Sequence, residues 1–156
     1  PQRAVDDMYA WAQDGRETAA QHRYNPKMSK ADLFRRGYIA RRSGHSTGKA
    51  VDLTLVRKPV AAVPPFDPSA AYGDCTAPVH ARAPDTSVDM GTGYDCSDEK
   101  AHTGSKAITA GQRQWRDILV SAMARQGFVN YRLEWWHFSL PGPGDTVYDF
   151  PVARRP

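Results

Sequence analysis

The feature that most constrains this chain is a short segment in which a histidine at a glycine-rich turn leads into an apolar strand. It reads Arg-Ser-Gly-His-Ser-Thr-Gly-Lys-Ala-Val-Asp-Leu-Thr-Leu over residues 42–55. The glycines on either side of His45 give the backbone freedom to turn, and the β-branched content of residues 50–56 predicts a strand. Because side chains alternate along a strand, Asp52 should leave the face opposite Val51. The segment therefore presents one imidazole and one carboxylate.

A second short segment supplies the groups that the first one lacks. Residues 134–137 read Glu-Trp-Trp-His and add another imidazole and another carboxylate. A zinc hydrolase needs about three protein ligands, an open position for water and a base that is not itself a ligand. We interpret His45, Asp52 and His137 as the ligands and Glu134 as the base. Any one of these residues alone is more often an ordinary surface or core residue, so the hypothesis depends on their combination.

The spacing of Glu134 and His137 has a structural consequence. Residues 128–140 are rich in aromatic side chains and predict a strand. Side chains three positions apart point to opposite faces of a regular strand. Both can face one site only if the strand contains a bulge or a kink, which we predict between Leu133 and Trp136.

Three further segments predict helices and, with the strands, indicate the fold class. Apolar residues at helical spacing predict a helix over residues 2–13, and a Ser-x-x-Asp cap predicts a short one over 29–36. The clearest helix begins with a capping box at Thr109 and ends at Gly127. Its predicted buried face comprises Trp115, Ile118, Leu119, Ala122 and Met123. We therefore predict an α+β fold in which helices pack on a small, mainly antiparallel sheet.

A long proline-rich stretch interrupts this pattern. Six of the twelve prolines fall within residues 57–86, which predicts a surface loop insertion because proline removes ladder donors. Residues 99–102 also read as a loop, and residues 147–151 as a short edge strand. Cys75 lies in the long loop and Cys96 in a polar, glycine-rich segment. We favour a disulfide between them, and the alternative is two free thiols.

Length, charge and hydropathy limit the classes of function. A single domain over residues 1–156 can bury a substantial core. The net charge of +4 comes from basic residues scattered in short pairs, and without a basic patch we expect no nucleic-acid partner. No apolar stretch reaches the roughly 20 residues that span a bilayer, so we expect no membrane span. Nothing in the sequence predicts an oligomeric state.

The two motifs resemble those of the VanX-type D-Ala-D-Ala dipeptidases. Residues 43–52 match the Ser-x-His-x-x-Gly-x-Ala-x-Asp signature of that family, and residues 134–137 match its second signature. Residues 89–95 and 148–152 also look like family segments, so the resemblance covers nearly the whole chain apart from the proline-rich loop. It implies a hedgehog/D,D-peptidase-like fold. The core of two histidines and one aspartate is shared with D,D-carboxypeptidases, L-Ala-D-Glu endopeptidases and the hedgehog signalling domain.

The resemblance also implies a role for each site residue. It implies one zinc ion on the ligand set given above, with Glu134 as the general base. Ser43 matches the family's contact to the dipeptide carboxylate, and Asp95 matches the acid that pairs with the free ammonium of the substrate. His102 falls where the family also has a histidine, and Trp136 is expected in the wall of the core or the pocket. Both receive a supporting role.

One family residue has no counterpart in the sequence. The family has an arginine, thought to stabilise the tetrahedral oxyanion, immediately before the Pro-Gln pair that matches Pro1 and Gln2. We therefore expect the chain to be N-terminally incomplete. Losing one oxyanion-stabilising group typically lowers a rate by about a hundredfold to a thousandfold. We accordingly expect weak activity from this chain by itself.

Three functions stay open at this point. The first is hydrolysis of the D-Ala-D-Ala dipeptide by metal-activated water. The second is a related peptidoglycan D,D-carboxypeptidase or endopeptidase that acts on a wall-derived peptide. The third is a catalytically silent zinc-binding module, which the absent arginine favours. A disulfide would favour a secreted or cell-envelope protein, and the alternative is a cytoplasmic one.

Overall fold

The computed structural model describes residues 1–16 and 18–151, where helices lie beside a small antiparallel sheet. The α-helices there are α1 (Gln2–Gln13), α2 (Ala19–Tyr24), α3 (Lys30–Arg35) and α4 (Ala110–Ala124). The strands are β1 (Ala50–Asp52), β2 (Val129–Asn130) and β3 (His137–Ser139), in the order β1-β3-β2. Short 3-10 turns lie at Gly44–Thr47, Val79–Ala81 and Glu99–Ala101. The predicted α+β class with an antiparallel sheet is confirmed.

Helix α4 begins where the sequence predicts, and Trp115, Leu119 and Met123 of its predicted buried face pack in the core. The Thr109 hydroxyl accepts from the Gln112 backbone and the Gln112 amide accepts from the Thr109 backbone, so both halves of the capping box are formed. Ile118 is 43% exposed, whereas Arg116 and Leu119 are buried. The prediction for Ile118 is wrong because an apolar pattern does not anticipate an arginine on the buried face.

Two N-terminal helices are confirmed, and a third was not predicted. α1 covers the predicted range, and α3 begins at a complete capping box on Ser29. α2 has six residues and is capped by Thr18, whose hydroxyl accepts from the Gln21 backbone. Such a short polar segment shows no apolar periodicity. Within the described part of the chain, no helix has both the length and the apolar character needed to cross a membrane.

The predicted strand over residues 128–140 is in fact a hairpin. β2 and β3 pair antiparallel, and residues 131–136 form the turn between them. The Tyr131 backbone donates to the His137 carbonyl at 2.9 Å, which closes this turn. An irregularity between Leu133 and Trp136 is therefore present, but the chain reverses its direction there instead of only kinking.

The first strand is shorter than predicted. β1 ends at Asp52 instead of residue 56, and Val51 is exposed because it lies on an edge strand. Directly after β1, the Leu53 backbone donates to the Trp136 carbonyl at 3.1 Å. Leu53 then packs against the main core with Leu55. The segment therefore turns inward as soon as the strand has presented Asp52.

Two shorter predictions are corrected. The loop expected at residues 99–102 contains a 3-10 turn. Residues 147–151 do not form the expected edge strand. Instead, the Tyr148 backbone donates to the Ser46 carbonyl at 2.8 Å and accepts from the Gln2 backbone at 2.9 Å. Val152, which ends the family-like segment, lies outside the described residues.

In the main core, one side of α4 packs against the sheet and against the segment that precedes α4. Its buried members are Cys75, Val88, Met90, Cys96, Ala101, Leu119, Trp135, Trp136 and Phe138. Among them lies the fully buried Arg116, which donates to the carbonyls of Met90, Lys100 and His102 at 2.8, 3.0 and 2.6 Å. Burial lowers the pKa of Arg116 to about 10, which still leaves it protonated at neutral pH. One guanidinium therefore fixes residues 100–102 relative to α4.

The favoured disulfide is present and anchors the proline-rich loop. Cys75 and Cys96 are bonded, with their Cα atoms 5.5 Å apart, and both are buried. Residues 56–69 are exposed, as expected for a surface loop. The Cys75 backbone also donates to the Arg23 carbonyl at 2.8 Å. The returning half of the loop is thus tied to both α2 and the main core.

Replacing the buried guanidinium should destabilise the protein strongly. Arg116→Met keeps an unbranched side chain but removes the guanidinium donor from three carbonyls. The His102 carbonyl keeps a bond from the Ser105 backbone at 2.8 Å, whereas the carbonyls of Met90 and Lys100 lose the donor described here. Each buried unsatisfied group costs about 1–3 kcal/mol, so we expect the free energy of unfolding to fall by at least about 2 kcal/mol in a denaturant titration. The exposed Arg125, which caps the C-terminal end of the same helix, is the matched control. Arg125→Met should change the free energy of unfolding by less than about 0.5 kcal/mol. Equal stability of the two variants would contradict this role of Arg116.

Candidate metal centre

The sheet brings the two sequence motifs together. β1 and β3 pair antiparallel with Asp52 directly opposite His137. Directly opposed residues in an antiparallel pair project to the same face of the sheet. Asp52 Oδ1 accordingly lies 2.9 Å from His137 Nδ1. One strand pairing therefore places a carboxylate from the first motif against an imidazole from the second.

The third group comes from the 3-10 turn that precedes β1. Gly48 ends this turn in the left-handed conformation, with φ +73°, which glycine adopts without strain. Lys49 then starts the return into the strand, and His45 faces the pair described above. His45 Nε2 lies 3.1 Å from His137 Nδ1 and 3.3 Å from Asp52 Oδ2. The predicted ligands thus converge.

These three groups fit a single divalent metal ion. Their candidate ligand atoms all lie within 4.8 Å of one another. Ligand atoms about 2.0–2.2 Å from a tetrahedral zinc ion lie roughly 3.3–3.6 Å from each other. The two imidazole nitrogens are 3.1 Å apart. Each lies near a different Asp52 oxygen, His137 Nδ1 at 2.9 Å from Oδ1 and His45 Nε2 at 3.3 Å from Oδ2, so these separations are within a few tenths of an ångström of that range. Two neutral imidazoles and one carboxylate are also donors that zinc accepts.

The charges of the site favour an ionised aspartate. Burial raises the pKa of Asp52, but hydrogen bonds from His137 and His45 outweigh burial and lower the pKa to about 2. The hydrogen bond between His45 and Asp52 is also the chief cause of the raised pKa of His45.

On the far side of the His137 ring, Nε2 lies 3.3 Å from Ser139 Oγ. A second partner of this kind orients a metal-binding imidazole.

Glu134 lies beside the ligand atoms but outside their cluster. Its Oε2 is 3.7 Å from His137 Nδ1, and the side chain is 13% exposed. Burial, followed by the negative charges of Asp52 and Asp95, raises the pKa of Glu134 to about 8. A carboxyl group that lies beside a candidate ligand cluster without joining it is in a suitable position for a general base.

Ser43 and Asp95, the two predicted substrate contacts, lie in the loops around the cluster. Ser43 Oγ accepts from the His45 backbone at 3.2 Å and so caps the 3-10 turn. Asp95 has a left-handed backbone with φ 54°. Desolvation and then the charge of Asp52 raise the pKa of Asp95 to about 6. Asp95 is therefore within electrostatic range of the ligands.

The two residues given a supporting role lie outside the ligand cluster. His102 Nε2 is 2.8 Å from the Tyr38 hydroxyl, and burial lowers the pKa of His102. Trp136 is buried, with its ring 5.6 Å from that of Tyr94 and 5.3 Å from that of Trp135. Neither residue belongs to the cluster of candidate ligand atoms.

Sequence reasoning missed several polar and aromatic residues around the second motif. The Tyr131 ring lies edge-on to that of His137 at 5.7 Å, and its hydroxyl donates to the Gly37 carbonyl at 2.9 Å. A Cβ atom at residue 37 would come within 2.8 Å of this hydroxyl. The Asn130 amide donates to two carbonyls of the turn. No spacing rule singles out these residues, because their partners are backbone atoms.

The sequence is similar over most of its length to known dipeptidases. A family model described as D-ala-D-ala dipeptidase matches residues 66–154. The D-alanyl-D-alanine dipeptidase of Streptomyces coelicolor is 36% identical over 156 residues, which cover 98% of this chain and 65% of that protein. Those of Enterococcus faecalis and Enterococcus faecium are 31% and 32% identical, over 98% and 97% of this chain. The alignments cover 65% and 64% of those two proteins, so the chain spans just under two thirds of their length.

Removing the carboxylate of the cluster should abolish tight metal binding. Asp52→Asn keeps the shape of the side chain but loses the charge that faces both imidazoles. We expect zinc affinity in a chelator competition to fall by more than about 100-fold, since even the residues behind a ligand are worth about 10- to 100-fold. Asp67→Asn, in the exposed loop, should leave the affinity unchanged. Equal affinities in the two variants would contradict the assignment of Asp52.

The buried Glu134 should make the metal-free protein less stable as the pH rises. Its pKa is about 8 in the folded chain against an ordinary 4.5, so between these values only the folded state keeps the proton. Stability should therefore fall across this window, by at most about 1.4 kcal/mol per pH unit, and level off above it. Urea unfolding in the presence of a chelator measures this, and Glu134→Gln should flatten the profile. Parallel profiles for the two proteins would refute the shift.

Proposed function

Because this chain belongs to the D-Ala-D-Ala dipeptidase family, we propose that it hydrolyses D-Ala-D-Ala with one zinc ion held by His45, Asp52 and His137. The observation that carries the proposal is the position of Glu134. Its carboxylate lies 3.7 Å from one of three converging ligands and stays outside the cluster they form. A pure zinc-binding module has no use for a buried carboxylate at that position, whereas a hydrolase needs one.

Zinc and Glu134 have different tasks in this reaction. When bound, zinc lowers the pKa of a water molecule and polarises the scissile carbonyl. Glu134 accepts the proton from that water as it attacks, and then gives the proton to the departing amine, so that two D-Ala molecules are released. Burial raises the pKa of Glu134 in the metal-free chain, and the charge of a bound zinc ion would favour the ionised carboxylate that can accept this proton.

Ser43 and Asp95 would recognise the two charged ends of a dipeptide. Since Ser43 Oγ accepts from the His45 backbone, its own hydroxyl proton is left to donate to the substrate carboxylate. Asp95 would accept from the substrate ammonium in a charge-assisted hydrogen bond. Its pKa of about 6 leaves most of it ionised at neutral pH. Reading both ends selects a free dipeptide over a longer wall peptide.

The remaining assignments belong to the same proposal. Residues 1–156 would form one peptidase domain of the hedgehog/D,D-peptidase-like kind, with His102 and Trp136 supporting the site from behind. The buried Cys75–Cys96 disulfide supports a secreted or cell-envelope location, because disulfides persist in oxidising compartments. The substrate would then be D-Ala-D-Ala, or a peptide derived from peptidoglycan.

Removing the base should separate catalysis from metal binding. Glu134→Gln should retain one zinc ion per chain but lower kcat for D-Ala-D-Ala by about 10²- to 10⁴-fold, the usual contribution of a general base. Glu99→Gln is the control, since Glu99 is an exposed acid in contact with Arg36. Zinc content by metal analysis and release of D-Ala are the two measurements.

The substrate is tested with the same proteins. Free D-Ala-D-Ala and muropeptides that end in D-Ala-D-Ala are compared, and only the free dipeptide should be cleaved. Cleavage of muropeptides alone would favour a carboxypeptidase or endopeptidase. Wild-type activity in Glu134→Gln would remove the base from the mechanism.

A further inference from the structure

One side chain is bonded to both functional residues of the second motif. Asn130, the last residue of β2, is partly buried beside the turn that carries Glu134 and His137. Its Nδ2 donates to the Glu134 carbonyl and to the His137 carbonyl, each at 3.0 Å. The two hydrogens of one amide therefore bond to the base and the ligand at once.

The orientation of this amide follows from its partners. The two carbonyls can only accept, so the NH₂ group must face them and Oδ1 must point the other way. The Thr103 hydroxyl donates to that oxygen at 2.5 Å. The Thr103 backbone also donates to the Arg132 carbonyl at 3.1 Å. Thr103 thus bonds both to the Asn130 side chain and to the turn that Asn130 contacts.

Apart from the Asn130 bonds, few hydrogen bonds hold the backbone of the turn at Glu134, next to His137. The Glu134 carbonyl otherwise accepts only from the His137 backbone, in a long bond of 3.3 Å. The Asn130 bond to this carbonyl is shorter. The His137 carbonyl has a second donor in the Tyr131 backbone at 2.9 Å. Losing the amide of Asn130 would therefore loosen the backbone of Glu134 more than the backbone of His137.

We propose that Asn130 is a positioning residue, whose amide sets the separation between the Glu134 carboxylate and the His137 imidazole. The catalytic consequence depends on the proposed function, whereas the consequence for metal binding does not. A displaced His137 backbone tilts the imidazole away from the Asp52 and His45 ligand atoms. A displaced Glu134 backbone moves the base away from the water that it must deprotonate.

The decisive variant is Asn130→Asp, which keeps the size of the side chain but cannot donate to either carbonyl. We expect the zinc dissociation constant, measured by chelator competition, to rise by about 10- to 100-fold. At saturating zinc, kcat for D-Ala-D-Ala should fall by about 10- to 100-fold while KM stays near the wild-type value. Asn25→Asp is the matched control, because it introduces the same change at the only other asparagine, at the C-terminal end of α2.

The outcomes separate positioning from general stability. A weaker zinc affinity in Asn130→Asp but not in Asn25→Asp supports the proposal, even if the wild type hydrolyses no D-Ala-D-Ala, a result that would overturn only the proposed function. Unchanged zinc affinity in Asn130→Asp, or an equal loss in both variants, overturns the proposal. If Asn130→Asp does not fold, Asn130→Ala replaces it, since it also removes both donated bonds but adds no charge. Wild-type zinc affinity in Asn130→Ala would then overturn the proposal.

Discussion

The functional site depends on the pairing of β1 with β3. This pairing sets Asp52 opposite His137 and lets the glycine-rich turn before β1 deliver His45 to the same face. A register shift of one residue would turn Asp52 to the other side of the sheet, because the side-chain period of a strand is two. The strands are very short, so their register is supported by the Leu53 bond to the Trp136 carbonyl just beyond them.

Support for the second motif comes from a chain of backbone contacts that starts in α4. Arg116 holds residues 100–102 through their carbonyls. That segment in turn bonds to the hairpin turn, since the Trp135 backbone donates to the Ala101 carbonyl at 3.2 Å. Asn130 completes the connection by bracing the turn itself. Hydrogen bonds to peptide groups therefore connect α4 to the second motif, alongside the packing of Trp135 and Trp136 in the main core.

The sequence predicted the fold class and a candidate ligand set, and it failed where tertiary contacts decide. Histidines and acids at motif spacing are informative because their chemistry is specific, and the fold brings the three candidate ligands together. The hairpin was read as one strand because residues 131–136 contain no glycine, proline or aspartate to signal a turn. Its bonds to Ala101 and Thr103 form it instead. Likewise, the buried Arg116 shifted the inner face of α4 away from Ile118.

The long separation between the ligands has a consequence for the order of folding. His45 and His137 are 92 positions apart in the chain, whereas α4, β2 and β3 follow one another closely. Contacts between near neighbours form early, and distant pairings must first offset the entropy of closing a long loop. The metal site should therefore be among the last parts to assemble. An ion that requires all three ligands would bind only the completed fold. It would therefore stabilise the contacts between segments that are distant in the chain, and without the ion these contacts would open more readily.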